Sequence, residues 1–210
     1  VAAVRVRQHV NPLSYKYQTK VEALDWAEIY QNPHQSLHID IGCAKGHFIN
    51  QMAALQPDWN FLGLEIRAPL VDYAQQQRDR AGLTNLHFLF CNANASLAEL
   101  LQTLPPDTLQ QVSIQFPDPW FKKRHQKRRV VQPELVQALA SFLPTGGRVI
   151  LQSDVEEVAR EMCDRFAENV AFQRTEPDWL ATSPFPAQTD REELTLGKGL
   201  PVFRAIFIKQ

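Results

Sequence analysis

Residues 36–56 read SLHIDIGCAKGHFINQMAALQ. A short apolar-rich stretch stops at Gly42, a turn of small residues follows, and from Gly46 the apolar positions recur at helical spacing. That is a strand, a tight turn and a helix. The rhythm then repeats along the chain. NFLGLEI is a second strand, and APLVDYAQQQRDRAG a helix ended by Gly82. NLHFLFCNA precedes the helix SLAELLQTL, which Pro105-Pro106 closes. QQVSIQF is a fourth strand; PELVQALASFL opens with proline in its first turn. RVILQS leads to the amphipathic helix VEEVAREMCDRFAEN, and VFRAIFIKQ alternates as a final strand. Strands of five to seven residues alternating with helices predict an α/β fold with a doubly wound, mostly parallel sheet. Residues 36–210 form that domain; residues 1–35, irregular apart from a short helix in EALDWAEIY, are expected to be an N-terminal extension.

In such a fold ligands bind beyond the carboxyl ends of the strands. Asp40 with Gly42, Glu65, Asn92 and Pro117-Asp118 all fall there. The first turn fits neither GxxxxGK[ST], since His47-Phe48 follows Gly46, nor GxGxxG, since Ala44 stands at the second glycine. Glu65 can accept both hydroxyl hydrogens of a ribose, or pair with Arg67 at the surface. Asp40 suits an ammonium and would repel a pyrophosphate. Asn92 offers the donor and acceptor that an adenine edge needs, or serves as a turn former. Ammonium, ribose and adenine without phosphate point to S-adenosylmethionine rather than to a nicotinamide cofactor.

The net charge is −1, yet Lys122–Arg129 holds six Lys or Arg. Without those six the remainder carries −1 − 6 = −7. An acidic body with one basic stripe suits a polyanion engaged at one face, or the stripe is a solvated loop. No apolar run approaches the ~18 residues of a membrane span. Three scattered cysteines, Cys43, Cys91 and Cys163, have neither metal nor disulfide spacing, which fits reduced thiols in a cytoplasm and no metal.

Together these segments resemble the tRNA (guanine-N7-)-methyltransferases, class I enzymes that methylate a guanosine in the tRNA variable loop. The likeness runs from RVRQHVNPL to the C-terminus and is most specific in PDPWFKKRHQKRR, with DIGCAKG, FLGLEIR, CNA, LQSD and TDREELTLGKGLPVFR in the same order. It implies a seven-stranded Rossmann-like sheet and S-adenosylmethionine held by Asp40, Gly42, Glu65, Arg67, Asn92, Ala93 and Asp118. It further implies Asp118 as the central active-site acid, and Lys122, Asp154, Thr189 and Glu192 as contacts to the tRNA. Arg124, His125, Lys127, Arg128 and Arg129 would follow the RNA backbone. Ala44 replaces a second glycine of the family, Asn92 an acid of many bacterial members, and Asp190-Arg191 a basic or apolar residue followed by Phe.

Simpler roles stand beside these. Asp154 could be a helix N-cap, and Thr189 with Glu192 a capping box. Trp120 could stack on a base or belong to the core. His125 could meet phosphate or only solvent; His38, His47 and His87 are expected to be structural. Competing functions are an amino-methyltransferase acting on adenine or a glutamine amide, and a non-catalytic RNA-binding module. The first expects a second proline after the acid, where Trp120 follows Pro119.

Overall fold

The computed structural model of the chain describes residues 10–210; the first nine residues of the expected extension lie outside them. Seven strands form one sheet: β1 Ser36–Ile41, β2 Trp59–Glu65, β3 Leu86–Phe90, β4 Leu109–Gln115, β5 Arg148–Ser153, β6 Phe172–Arg174 and β7 Phe203–Lys209. Its order is β3-β2-β1-β4-β5-β7-β6. The first five are parallel, and β7 runs antiparallel to both β5 and β6. The helices are α1 Trp26–Ile29, α2 His47–Leu55, α3 Ala68–Ala81, α4 Ala93–Gln102, α5 Pro133–Phe142, α6 Glu156–Ala167 and α7 Asp190–Gly197. The three-residue β6 has no counterpart in the sequence pattern, and the eight-residue α7 only the capping-box spacing at its start; both are too short for a period to show.

The two faces of the sheet differ. Leu37, Ile39, Val112, Ile114, Val149, Leu151, Ala205 and Phe207 point to one side, into a continuous apolar core with residues of α4, α5 and α6. The positions between them carry His38, Asp40, Ser113, Gln115, Gln152 and Arg204, all buried. On that second face a smaller apolar cluster joins Phe48, Ile49 and Met52 of α2 and Val71 and Ala74 of α3 to Phe61, Phe88, Ile150 and Phe185. A strand covered on both sides normally reads as an apolar run, so this row of polar residues is unusual.

Residues 10–35 do not form a separate appendage. Asp25 caps α1 through the Ala27 N–H at 2.9 Å. Trp26 and Tyr30 stack at 6.1 Å and are buried in the main core. Trp26 Nε1 donates to Thr103 Oγ1 at 2.9 Å, and the Tyr30 hydroxyl to the Phe61 carbonyl at 2.8 Å. Among the described residues no helix is long and apolar enough to cross a membrane.

Candidate active site

The order of the sheet sets the carboxyl ends of β3, β2, β1 and β4 side by side. A cleft there is lined by Gly42, Glu65, Arg67, Asn92, Ala93, Phe116, Asp118 and Trp120, among others. A second cleft adjoins it, bordered by Asp40, Gly42, Ala44, Arg67, Gln115, Phe116 and the start of α7, Thr189 to Arg191. Gly42, Arg67, Gln115 and Phe116 border both.

The turn after β1 is fastened to β2. The N–H groups of Gly42 and Cys43 donate to the Leu64 carbonyl at 2.8 and 3.1 Å. Gly46 has φ +72°, and a Cβ there would lie 2.6 Å from the Phe88 ring, so no larger residue fits. Ala44, at the position of the missing glycine, also adopts a left-handed φ of +51°. Its N–H donates to Glu65 Oε2 at 3.0 Å.

Glu65 is 2% exposed. Besides Ala44 it accepts from the Arg67 N–H at 2.9 Å, Nε at 2.8 Å and Nη2 at 3.0 Å. The expected pairing of Glu65 with Arg67 is present, though buried rather than at the surface, and both residues line the cleft. Burial works against the Arg67 charge, but the hydrogen bonds and charge of Glu65, with the charge of Asp118, hold its pKa above the ordinary value.

Asp40 is buried beneath the turn. Ser113 Oγ donates to its Oδ1 at 2.6 Å and Gln115 Nε2 at 3.2 Å. Burial raises its pKa from 3.8 to about 6, against the pull of those two hydrogen bonds and with a small push from the Glu65 charge. Ser113, Gln115, Gln152 and Arg204 escaped the sequence reading. The available signal was a polar residue at every second position of QQVSIQ and its neighbouring strands, where a doubly covered sheet calls for aliphatic ones.

The segment Pro117-Asp118-Pro119 is bracketed by two bulky residues with left-handed backbone, Phe116 at φ +49° and Trp120 at φ +43°. Such conformations cost roughly 1–3 kcal/mol each and persist only when the surroundings impose them. Here the Phe116 N–H is held by the Gln152 carbonyl at 2.8 Å, and Arg129 Nε donates to the Pro119 carbonyl at 2.8 Å. Lys123–Arg128 forms a short 3-10 helix beside the cleft. The Arg128 guanidinium lies 4.9 Å from the Trp120 ring centre, and His125 meets the same ring edge-on at 5.7 Å. Trp120 is therefore the support of the basic turn, half-buried rather than part of the core.

Three of the expected contact residues already have partners within the protein. Arg129 is 4% exposed and pairs with Glu157 at 2.8 Å and with Glu161, so it anchors the loop and is turned away from any RNA backbone. Glu192 is fully buried and pairs with Arg204 at 2.7 Å through Oε1, so its carboxylate is turned into the protein rather than to the surface. The Asn92 side chain is already engaged: Oδ1 accepts from the Asn94 N–H at 3.2 Å, and Nδ2 donates to the carbonyls of Pro12 and Tyr17, both at 3.1 Å. It caps α4 and ties down the N-terminal segment, while the residue itself lines the cleft.

Two of the simpler alternatives are also settled. Asp154 does not cap α6, whose N-cap is Val155; it pairs with Arg191 at 2.6 Å. Thr189 does cap α7 through the Glu192 N–H at 3.0 Å, while the Glu192 side chain turns inward, so the capping box is half formed. His47 reaches Asp190 at 2.8 Å, a second tie on the start of α7. Lys122, Lys123, Arg124 and Lys127 are exposed. Among the described residues no cluster of His, Cys, Asp or Glu could hold a metal ion.

Comparison with known proteins agrees with this architecture. The profile of a family described as "Putative methyltransferase" matches residues 34–205. A tRNA (guanine-N(7)-)-methyltransferase of Trichormus variabilis is 60% identical over 205 residues, 97% of this chain and 95% of that protein. One from Synechococcus elongatus is 59% identical over 210 residues, 100% and 99% of the two chains. Among solved structures, the 16S rRNA methyltransferase KamB superposes with a TM-score of 0.59 at 13% identity, covering 90% of this chain and 96% of that one, a likeness of fold. At such identity over nearly its whole length, the chain belongs to the tRNA (guanine-N(7)-)-methyltransferase family.

Proposed function

We propose that the protein transfers a methyl group from S-adenosylmethionine to N7 of a guanosine in the variable loop of tRNA. The observation that carries this is one of placement. Asp118, on a backbone strained at both ends, lines the same cleft as Glu65, and the basic turn leaves the same strand end.

The donor set fits the cofactor. Carboxylates at Asp40, Glu65 and Asp118 border the two clefts, where a sulfonium, an ammonium and a ribose diol are welcome and a phosphate is not. Glu65 would take the ribose hydroxyls, which requires Arg67 to give up part of its hold. Asp40 would take the ammonium, and Gly42 with Ala93 would flank the ligand. When bound, the cofactor supplies an electrophilic methyl carbon.

What the protein must add is small. Guanine N7 has a free lone pair, so no base has to remove a proton; alignment is the main requirement. As N7 gains a fourth bonding pair, positive charge grows on the purine, and Asp118 stabilises it electrostatically. Lys122, Lys123, Arg124, Lys127 and Arg128 would hold phosphates, which position the RNA without reading its sequence. Asp154 and Thr189, at the α7 side, would meet the target nucleotide. Buried unpaired thiols fit a reducing cytoplasm. Replacing the variable-loop guanosine of a transcript by adenosine should abolish methyl uptake; uptake equal to that of the parent tRNA would overturn the assignment.

A further inference from the structure

A row of buried polar side chains crosses the sheet from α7 to Asp40. Glu192 pairs with Arg204, whose Nε donates to Gln152 Oε1 at 2.8 Å. Gln152 Nε2 donates to Gln115 Oε1, and Gln115 Nε2 donates to Asp40 Oδ1 at 3.2 Å. Gln115, Gln152 and Arg204 are register partners on β4, β5 and β7, so the backbone pairing itself aligns them. A second branch reaches Asp40 from the other side. Gln111 Nε2 lies 3.3 Å from His38 Nδ1, His38 Nε2 lies 2.8 Å from Ser113 Oγ, and Ser113 donates to the same Oδ1.

Each amide in this row could in principle point either way. An arginine cannot, because its guanidinium only donates. Facing Arg204, Gln152 must present its oxygen and therefore its N–H₂ to Gln115. Gln115 must then present its own N–H₂ to Asp40. The direction of both amides, Gln152 one strand away and Gln115 two, is thereby tied to Arg204. In the other branch, burial holds the His38 ring neutral, with its pKa lowered to about 3. Because the Ser113 hydroxyl donates to Asp40, its oxygen accepts from His38, which puts the ring hydrogen on Nε2 and leaves Nδ1 to accept from Gln111. Both branches end with a donor at Oδ1.

We propose that Arg204 and Gln152 are positioning residues for the amino-acid end of the methyl donor. By fixing the direction of the row they saturate Oδ1 of Asp40 and leave its other oxygen for the ligand's ammonium. This rests on the assignment of Asp40 to that ammonium. Gln152 is fully buried and lines neither cleft, so it acts only through its neighbours. Without it nothing holds the Gln115 oxygen away from Asp40, and in Gln152→Glu the new carboxylate draws the Gln115 N–H₂ toward itself. Two acceptors then face each other, and the carboxylate rotates or takes up a proton.

The test is titration calorimetry with two ligands on wild type, Gln152→Met, Gln152→Glu and Asp40→Asn. S-adenosylhomocysteine carries the ammonium; 5′-methylthioadenosine has the nucleoside without the amino acid. Gln152→Met removes both hydrogen bonds at similar volume. Gln152→Glu keeps the acceptor for Arg204 but cannot donate, and so provides the test should the Met variant fail to fold. Both should bind S-adenosylhomocysteine about tenfold more weakly, the scale of one misdirected buried hydrogen bond, with 5′-methylthioadenosine within about twofold. Equal losses for the two ligands, the mark of a merely structural role, would overturn the proposal, as would no loss. Asp40→Asn separates the levels. If it weakens S-adenosylhomocysteine while the Gln152 variants do not, the row fails alone. If it also has no effect, the assignment of Asp40 fails with it.

Discussion

Ala44 holds a left-handed backbone with φ +51°, where a Cβ costs roughly 1–2 kcal/mol. Glycine there is freer in the unfolded chain, which returns part of that gain. Ala44→Gly should therefore stabilise the protein by about 0.5 kcal/mol, read as a higher urea midpoint; a lower midpoint would mean the turn is not strained. Asp118 is a second case for single-residue chemistry. Asp118→Ala should lose turnover by about two orders of magnitude or more, the scale of a removed electrostatic stabiliser. Its affinity for S-adenosylhomocysteine should stay within a few-fold. Near-normal methylation by that variant would remove Asp118 from the centre of the mechanism. The placement of Glu65 and Asp40 at the clefts was legible in the sequence because strand ends in this fold have a fixed relation to them. Arg129 and Glu192 were not, because a charge in a basic run or a helix start looks the same whether its partner is solvent or a buried acid.

At the scale of elements, the basic turn and α7 make opposite demands. The turn presents Lys122, Lys123, Arg124, Lys127 and Arg128 as candidate phosphate contacts, so log affinity for tRNA should fall against log salt with a slope near −4. Changing Lys123, Arg124 and Lys127 to Gln should reduce that slope by about 2. Arg129→Gln should instead lower stability, since it leaves Glu161 and the Pro119 carbonyl without their buried donor. If Arg129→Gln altered only the salt slope, the anchoring role would be wrong. On α7, Glu192→Ala leaves Arg204 charged and buried, which costs about 3–5 kcal/mol. A thermal midpoint unchanged by that substitution would contradict the inward placement of Glu192. The strands and long helices were readable from their periods. The short β6 and α7 were not, and neither was the polar face of the sheet, because its partners come from four strands and meet only in the folded register.

At the scale of the whole molecule, the site and the fold compete through Asp40. Its folded pKa, about 6 against an ordinary 3.8, is raised chiefly by burial. Between those values the unfolded chain releases this proton before the folded one does. Stability contributed by the group therefore falls as pH rises through about 4 to 6, and the full cost is present above that window. Asp40→Asn should raise the denaturation midpoint of the ligand-free protein near pH 7.5 and leave it little changed near pH 4; the reverse order would contradict a buried carboxylate here. The acidic body with one basic stripe was legible from charge counts alone, whereas the shared core of residues 10–35 was not, since the i, i+4 spacing of Trp26 and Tyr30 fills a single short turn and does not say where that face packs. The central claim is that the strand-end acids and the basic turn serve one reaction, methylation of guanine N7 in tRNA. Its most direct test is incubation with isotopically labelled S-adenosylmethionine and unmodified tRNA, followed by mass spectrometry of the nucleosides. Label in 7-methylguanosine, about one per tRNA, is the predicted result. Label on an adenosine or on another guanine position, or no label at all, would contradict it.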